Sequence, residues 1–424
     1  MSASLLDIDG NETEMNPETA SLYTLPERWV SYDAAAILDP LVEARSAAGV
    51  LNRLPYLQQW IDQIHEEQLR LEAAGTSRIE GAEFSDQEQE VALASQIPPH
   101  IDLTRSQRQL RAADATYRWL RPQPTGRPIN PDFVLNIHRR MVTGCDDDHC
   151  EPGALRPTGW NVTFGTPRCR GAEGGEQCWT AFSGLCAAIA GEFRQHDRII
   201  QALAAHYHIG AMHPFGDGNG RTSRALEAFM LRQADVSHLV MVSLSNYYYE
   251  HKDGYLAAMS ESRERSHDLT PFLRFALPAV STRCNAVATN IANHNKRTLF
   301  RRFAQSLFGQ LRSPRRRVLA ERQLRLLESL LDSPTLDVAD LLHRTVGIYR
   351  SLKYPRRAWS RDVIHMLDID AIKIDENGIV TLNLDWPQQL SESELLQRYE
   401  TLPSAVSANH PAMTALSQLL NRRR

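Results

Sequence analysis

The chain has 424 residues, 42% apolar and 23% charged, with 47 Lys or Arg against 51 Asp or Glu and a formal net charge of −4. Such a composition excludes collagen-like, disulfide-scaffold and wholly disordered chains, and the length leaves room for two or three globular domains. No run of eighteen apolar residues is present, so no membrane-spanning helix is expected, and the acidic start lacks the pattern of a signal peptide, which makes the cytoplasm the expected location.

In chain order, residues 1–20 are polar and read as disordered. An N-terminal helical region over 21–120 follows. "DAAAILDPLVEARSAAGVLNRL" and "LPYLQQWIDQIHEEQLRLEAAG" place apolar residues three and four apart, which predicts two or three amphipathic helices with Pro40 near a start. A further helix is expected from Asp102 to Leu120, and "PQPTGRP" reads as a linker.

Residues 121–290 read as a mostly helical core. "NPDFVLNIHRRMV" opens on an Asn-Pro start signal. The Gly- and Pro-rich stretch after Cys150 must be loop, and "WNVTF" inside it alternates like a short hairpin. Helices are expected over 178–194 and 198–212, then one opening within "HPFGDGNGRTSR", His213 to Arg224. "SNYYYEHKDGYLAAMSES" and "LTPFLRFALPAVSTRCNAVA" are helical again. Cys145, Cys150, Cys169 and Cys178 bracket the loop region together with His149. Their spacing is not that of paired zinc ligands, so thiols in surface loops are expected in preference to a metal site.

Residues 291–424 differ in charge. Between 291 and 361 there are sixteen Lys or Arg and five Asp or Glu, a net +11, so the rest of the chain carries −15. That asymmetry is the footprint of a nucleic-acid partner or of a solvated helix surface. Three short helical patterns precede "AIKIDENGIVTLNL", a hairpin signal around Asp375 to Gly378. By element order alone this region resembles a winged-helix domain.

The quoted stretch concentrates chemistry. Gly218 and Gly220 flank Asn219 at a helix start, where bare backbone N–H groups and the helix dipole favour an anion. Arg221 and Arg224 are three apart and are expected to face one side, in position for a bidentate grip on phosphate. Asp217 is a carboxylate of the kind that holds Mg²⁺ together with phosphate oxygens, or else a helix cap. His213 titrates in the range where it can take a proton from an attacking hydroxyl. Together these residues suit transfer of a phosphorus group to a hydroxyl.

The stretch resembles the Fic motif HxFx(D/E)GNGRxxR at every fixed position, and the resemblance runs from Leu25 to Leu277. It implies a mainly α fold: an all-helical core with a β-hairpin flap in "PGALRPTGWNVTFG", beside the N-terminal helices and the C-terminal winged-helix-like domain. It implies AMP transfer from ATP to a Ser, Thr or Tyr of a protein, with His213 as general base and Asp217 on Mg²⁺. Gly218, Asn219, Gly220, Arg221 and Arg224 would bind the phosphates, and Tyr255 would line the nucleoside pocket. Flap residues Val162, Thr163 and Phe164 would dock the target by strand pairing. Gly220 stands where a phosphorylating variant of the family has lysine, which favours AMP.

Upstream, "TSRIEG" over 76–81 resembles the family's inhibitory motif (S/T)xxxE(G/N), with Thr76, Glu80 and Gly81 at its fixed positions. The resemblance implies that Glu80 pairs with Arg224, in a bidentate salt bridge, and denies it to the γ-phosphate. Self-modification, removal of AMP and a homodimer also belong to the family's range. Alternatives are a UMP, phosphocholine or phosphate transferase on the same scaffold, or a DNA-binding regulator acting through the C-terminal domain.

Overall fold

The computed structural model describes residues 21–96, 102–145, 150–165, 167–236, 240–311, 314–333, 335–389, 391–403, 406–407, 410, 412, 416 and 418. The stretch 1–20, expected to be disordered, and His149 lie outside the described residues. The chain divides into two compact units, Met1–Ile291 and Ala292–Arg424.

In the first unit, local caps set where the N-terminal helices begin. The Asp33 carboxylate accepts the N–H groups of Ala35 (2.9 Å) and Ala36 (3.3 Å) and opens α1 (Ala34–Arg53). Pro40 lies inside α1, in its second turn. Helix α2 (Gln58–Ile79) continues one turn beyond Gly75, so Thr76 to Ile79 form its last turn and Glu80 its cap. Reciprocal capping boxes start α3 (Asp86–Leu93), through Ser85 and Glu88, and α4 (Arg105–Leu120), through Thr104 and Gln107. Asn130 caps α5 (Pro131–Val142), with Pro131 at its first position.

A two-stranded antiparallel hairpin follows, β1 (Thr163–Phe164) and β2 (Cys169–Arg170), in the register Thr163↔Arg170 and Phe164↔Cys169. Val162 lies just outside β1, and its carbonyl accepts Gly171 N–H at 3.2 Å. Next come α6 (Glu176–Ala190), α7 (Arg198–Met212), α8 (Asn219–Gln233), α9 (Leu244–Glu250), α10 (Lys252–Glu264) and α11 (Thr270–Gly309), which belongs to this unit as far as Ile291. Twelve of the fifteen residues of α7 are buried, which makes it the central helix, covered all round. It packs against α8, and the loop between them carries the Fic-like residues. Helix α2 packs on α9 and α4, and Gly75 leaves no room for a side chain: a Cβ there would fall 2.5 Å from the Asn246 backbone nitrogen.

The second unit contains α12 (Pro314–Asp332), β3 (Thr335–Asp337), α13 (Val338–Thr345), a 3-10 turn (Val346–Tyr349), α14 (Pro355–Asp368), β4 (Ile372–Ile374), β5 (Ile379–Leu382), α15 (Trp386–Gln389) and α16 (Glu392–Thr401). The three strands form an antiparallel sheet in the order β3–β5–β4, with Leu336↔Val380 and Ile374↔Val380 in register. The β4–β5 turn is tied by the Asp375 carboxylate, which accepts Asn377 N–H (3.0 Å) and Ile379 N–H (2.8 Å), and by Gly378 at φ +82°. Leu326, Leu330, Leu341, Trp359, Val363, Val380 and Trp386 fill its core. Among the described residues no helix is long and apolar enough to cross a membrane.

Candidate active site

His213 ends α7 in the left-handed region, at φ 49°. The pre-proline position disfavours continuing the helix, and a histidine held at positive φ is strained. Arg156 holds it there. Its Nε donates to the His213 carbonyl (3.0 Å), its Nη1 to the Trp160 carbonyl (2.7 Å), its Nη2 to the Ala172 carbonyl, and its backbone N–H to Pro214 (3.0 Å). The ring is oriented as well. His213 Nδ1 donates to the Gly210 carbonyl at 3.0 Å, which leaves Nε2 as the unprotonated nitrogen of the neutral ring. Burial pulls its pKa down to about 4, helped by Arg156 and Arg263 and opposed by the Gly210 carbonyl and Glu80. At neutral pH the imidazole is therefore a neutral base.

The loop beyond it is braced from within. The Asn219 side chain accepts Phe215 N–H (2.9 Å) and donates to Phe215 C=O (3.0 Å), which fixes the loop between them. Phe215 stacks on His138 at 3.7 Å, and His138 Nε2 donates to the Asp217 carbonyl at 3.0 Å. Gly218 caps α8 at φ +72°. The first N–H groups of α8 have no partner within the helix, which makes this turn an anion seat.

A carboxylate sits in that seat. Glu80 Oε1 lies 2.6 Å from Arg224 Nη2, and a Cβ on Gly220 would fall 2.1 Å from the same oxygen. Arg224 is 2% exposed, and its other bonds go to Thr76: Nε to Oγ1 at 2.8 Å and Nη2 to the Thr76 carbonyl at 3.1 Å. Burial alone would raise the Glu80 carboxyl, but the Arg224 charge and hydrogen bond, with Arg221 and His213 adding, hold it below the usual carboxylate range. Gly81 follows at φ +88°, turning the chain away after the carboxylate is placed.

Three expectations need correction. The Glu80–Arg224 contact is not a two-pronged fork: one guanidinium nitrogen meets one oxygen, because Thr76, in the last turn of α2, takes Nε and shares Nη2. Arg221 and Arg224 share a helix face, but their guanidinium groups part. Arg221 turns toward Met141 C=O (3.3 Å) and Asp217 Oδ1 (3.5 Å), whereas Arg224 turns to Thr76 and Glu80. Tyr255 is not a pocket wall. It is 4% exposed, stacked on Tyr248 at 5.0 Å, with its hydroxyl 2.9 Å from His206 Nε2. It belongs to a buried polar layer of His206, Glu227 and Tyr248 beside Arg224.

Asp217 offers a partly exposed carboxylate. Its Oδ1 accepts Gly218 N–H at 2.5 Å, and its Oδ2 lies 3.4 Å from Arg105, a neighbour with no signal in the sequence. On the flap side, Phe164 stacks on the His213 ring at 3.8 Å, and the Arg263 guanidinium covers the same phenyl ring at 4.6 Å. The outer edge of β2 is taken: Ser21 bridges Cys169 in parallel, and its carbonyl accepts Arg170 N–H at 2.9 Å.

Comparison with known proteins agrees with this geometry. Residues 128–231 match the family model described as Fic/DOC family. The matched stretch is thus similar to Fic domains. A protein adenylyltransferase Fic from Culex quinquefasciatus is 37% identical over 143 residues, 34% of this chain and 26% of that protein. Its namesake from Aedes aegypti is 37% identical over 75 residues, 18% of this chain and 13% of that protein. The chain thus spans about a quarter or less of the length of these curated relatives. Among solved structures, Fic-1 from C. elegans is 21% identical with a TM-score of 0.51, covering 62% of this chain and 74% of that one. A Fic family protein from Desulfovibrio desulfuricans G20 is 16% identical with a TM-score of 0.52, covering 85% and 98%. Both likenesses concern the fold, which is mainly helical as expected.

Around the Fic-like stretch the cysteines depart from expectation. Cys145, Cys150, Cys169 and Cys178 are buried, not displayed on surface loops; Cys169 lies in β2 and Cys178 in α6, where its Sγ donates to Pro214 C=O at 3.4 Å. Among the described residues no group of three or more His, Cys, Asp or Glu could hold a metal ion. A cavity of 360 Å³ opens at the opposite end of α2 and α8 from the Fic motif, lined in part by His65, Phe229 and Val242.

Proposed function

We propose that this chain transfers AMP from ATP to a Ser, Thr or Tyr hydroxyl of a protein, and that Glu80 restrains the reaction. The observation that carries the reading is the Glu80 carboxylate 2.6 Å from the buried Arg224 at the start of α8. An internal anion there marks a site built for an external one. Its chemistry fits the phosphates of a nucleotide: main-chain N–H groups at Asn219 and Gly220, a buried guanidinium, and glycine where a Cβ would obstruct. A single carboxylate, Asp217, suits Mg²⁺, which keeps phosphate oxygens and water as its other ligands. When bound, that ion would neutralise phosphate charge.

The residues then divide the work. Nε2 of His213 takes the proton of the target hydroxyl as its oxygen bonds to the α-phosphorus, and pyrophosphate leaves. Arg224, freed from Glu80, steadies the outer phosphates. The target would add to the open edge of β1, since Ser21 already lies along β2. Phe164, stacked on the base, would have to shift as the hydroxyl enters. The names of the insect relatives support AMP as the transferred group. UMP, phosphocholine and phosphate transfer, and removal of AMP, remain variants that the mass of the product separates.

His213→Ala tests the base. Transfer from α-labelled ATP should fall by about 10²- to 10⁴-fold while nucleotide binding persists. Unchanged transfer would remove His213 from the reaction.

A further inference from the structure

Independently of the transfer reaction, we propose that the second unit is a winged helix-turn-helix that binds duplex DNA through the first turns of α14 and the connector before it. From Leu341 to Arg361 the chain carries six Lys or Arg and no Asp or Glu. These residues span the end of α13, the 3-10 turn and the first half of α14. Two of the six are committed: Arg344 Nη1 donates to Ser333 Oγ at 2.6 Å, and Arg361 pairs with the buried Asp362 at 2.7 Å. Arg350, Lys353, Arg356 and Arg357 are exposed and form no ion pair among the described residues.

This patch stands on a rigid base. Trp359 is fully buried, and its Nε1 donates to Thr345 Oγ1 at 2.8 Å, tying α14 to α13. Val363, Ile364 and Met366 bury the inner face of α14, so Arg356 and Arg357 are left on the outer one. No acid lies in the first turn of α14, where the helix dipole already carries positive charge. Unpaired cations at that end repel both the dipole and one another. A string of phosphates removes both penalties.

The surroundings select the class of polyanion. Tyr354, 62% exposed with the Lys353 ammonium 5.5 Å from its ring centre, is the one large exposed hydrophobic side chain of this stretch. Single-stranded binders need several stacking aromatics, and an anionic membrane needs apolar anchors. The hairpin tip, Asp375 to Asn377, is exposed and acidic, so it stays off the phosphates. A helix presenting its N-terminal turn fits the major groove of B-form DNA, whereas that groove of an RNA duplex is too narrow for it.

The test uses the full chain and fluorescence anisotropy of a labelled DNA duplex of about 30 base pairs. Four phosphate contacts predict a log–log salt slope of about −3.6, a loss of roughly 150-fold between about 50 and 200 mM salt. Arg356→Glu with Arg357→Glu should weaken binding at low salt by at least about tenfold and flatten the slope by about 2. Arg302→Glu, in an exposed basic position on α11, should leave the slope unchanged. No binding at low salt, an equal loss in the Arg302 variant, equal affinity for a matched RNA duplex, or stronger binding to phosphatidylserine vesicles would each overturn the proposal.

Discussion

At the scale of single residues the site rests on how two side chains are held. His213 is kept neutral by burial and keyed into one tautomer by the Gly210 carbonyl. Its folded pKa, about 4, lies below the value of 6.5 that it has when unfolded, so acid favours the unfolded chain. The stability this ring contributes is present above pH 6.5 and is lost as pH falls toward 4. The base likewise stays available down to that point. A pH–rate profile of the Glu80→Gly variant should therefore show an acid limb below about pH 5, and a limb centred near 6.5 would contradict the placement of the ring. Arg224 is the second case. Thr76→Val removes the partner of its buried Nε while leaving Glu80 in place. Thermal denaturation should report a loss of about 1 to 3 kcal/mol, and an unchanged melting temperature would deny Thr76 that role.

At the scale of elements, α2 is what brings the inhibitor to the site. At Gly75, one residue before Thr76, a Cβ would collide with the backbone of Asn246 and Ser245. Gly75→Ala should push α2 off α9, costing about 1 to 3 kcal/mol, and should raise AMP transfer above wild type by moving Glu80. A destabilised protein with wild-type transfer would show that α2 can shift without releasing the carboxylate. The sequence made most such elements readable. Caps at Asn130 and the period of α7 located their helices closely. Helix α3 was missed although "SDQE" is a capping box, because eight residues are too few to display a helical period. The break at His251 between α9 and α10 was hidden, since helical spacing continues across it. Strand β3, at three residues, is ordered only by pairing with β5.

At the scale of the whole molecule, residues far apart in sequence act as one site. Linear motifs announced His213, Asp217, Arg224 and Glu80, because backbone turns and helix ends impose fixed spacing on such groups. What surrounds them did not announce itself. Arg156, Arg105, His138 and Arg263 reach the site only through folding, and each looks like an ordinary surface charge in the sequence. Tyr255 misled for the same reason: proximity to the site and exposure to it are separate properties, and only packing distinguishes them. The buried polar layer on which it lies gives Arg224 hydrogen-bonding company, so removal of Glu80 need not unfold the domain.

The central claim is that Glu80 occupies the seat of the ATP phosphates. Intact-mass spectrometry of the wild-type chain and of Glu80→Gly, each incubated with ATP and Mg²⁺, tests it most directly. The account predicts that the variant gains the mass of an adenylyl group, on itself or on an added protein, at least about tenfold faster than wild type, equivalent to about 1.4 kcal/mol in the barrier. Equal rates in the two proteins, or a mass gain other than AMP, would contradict it.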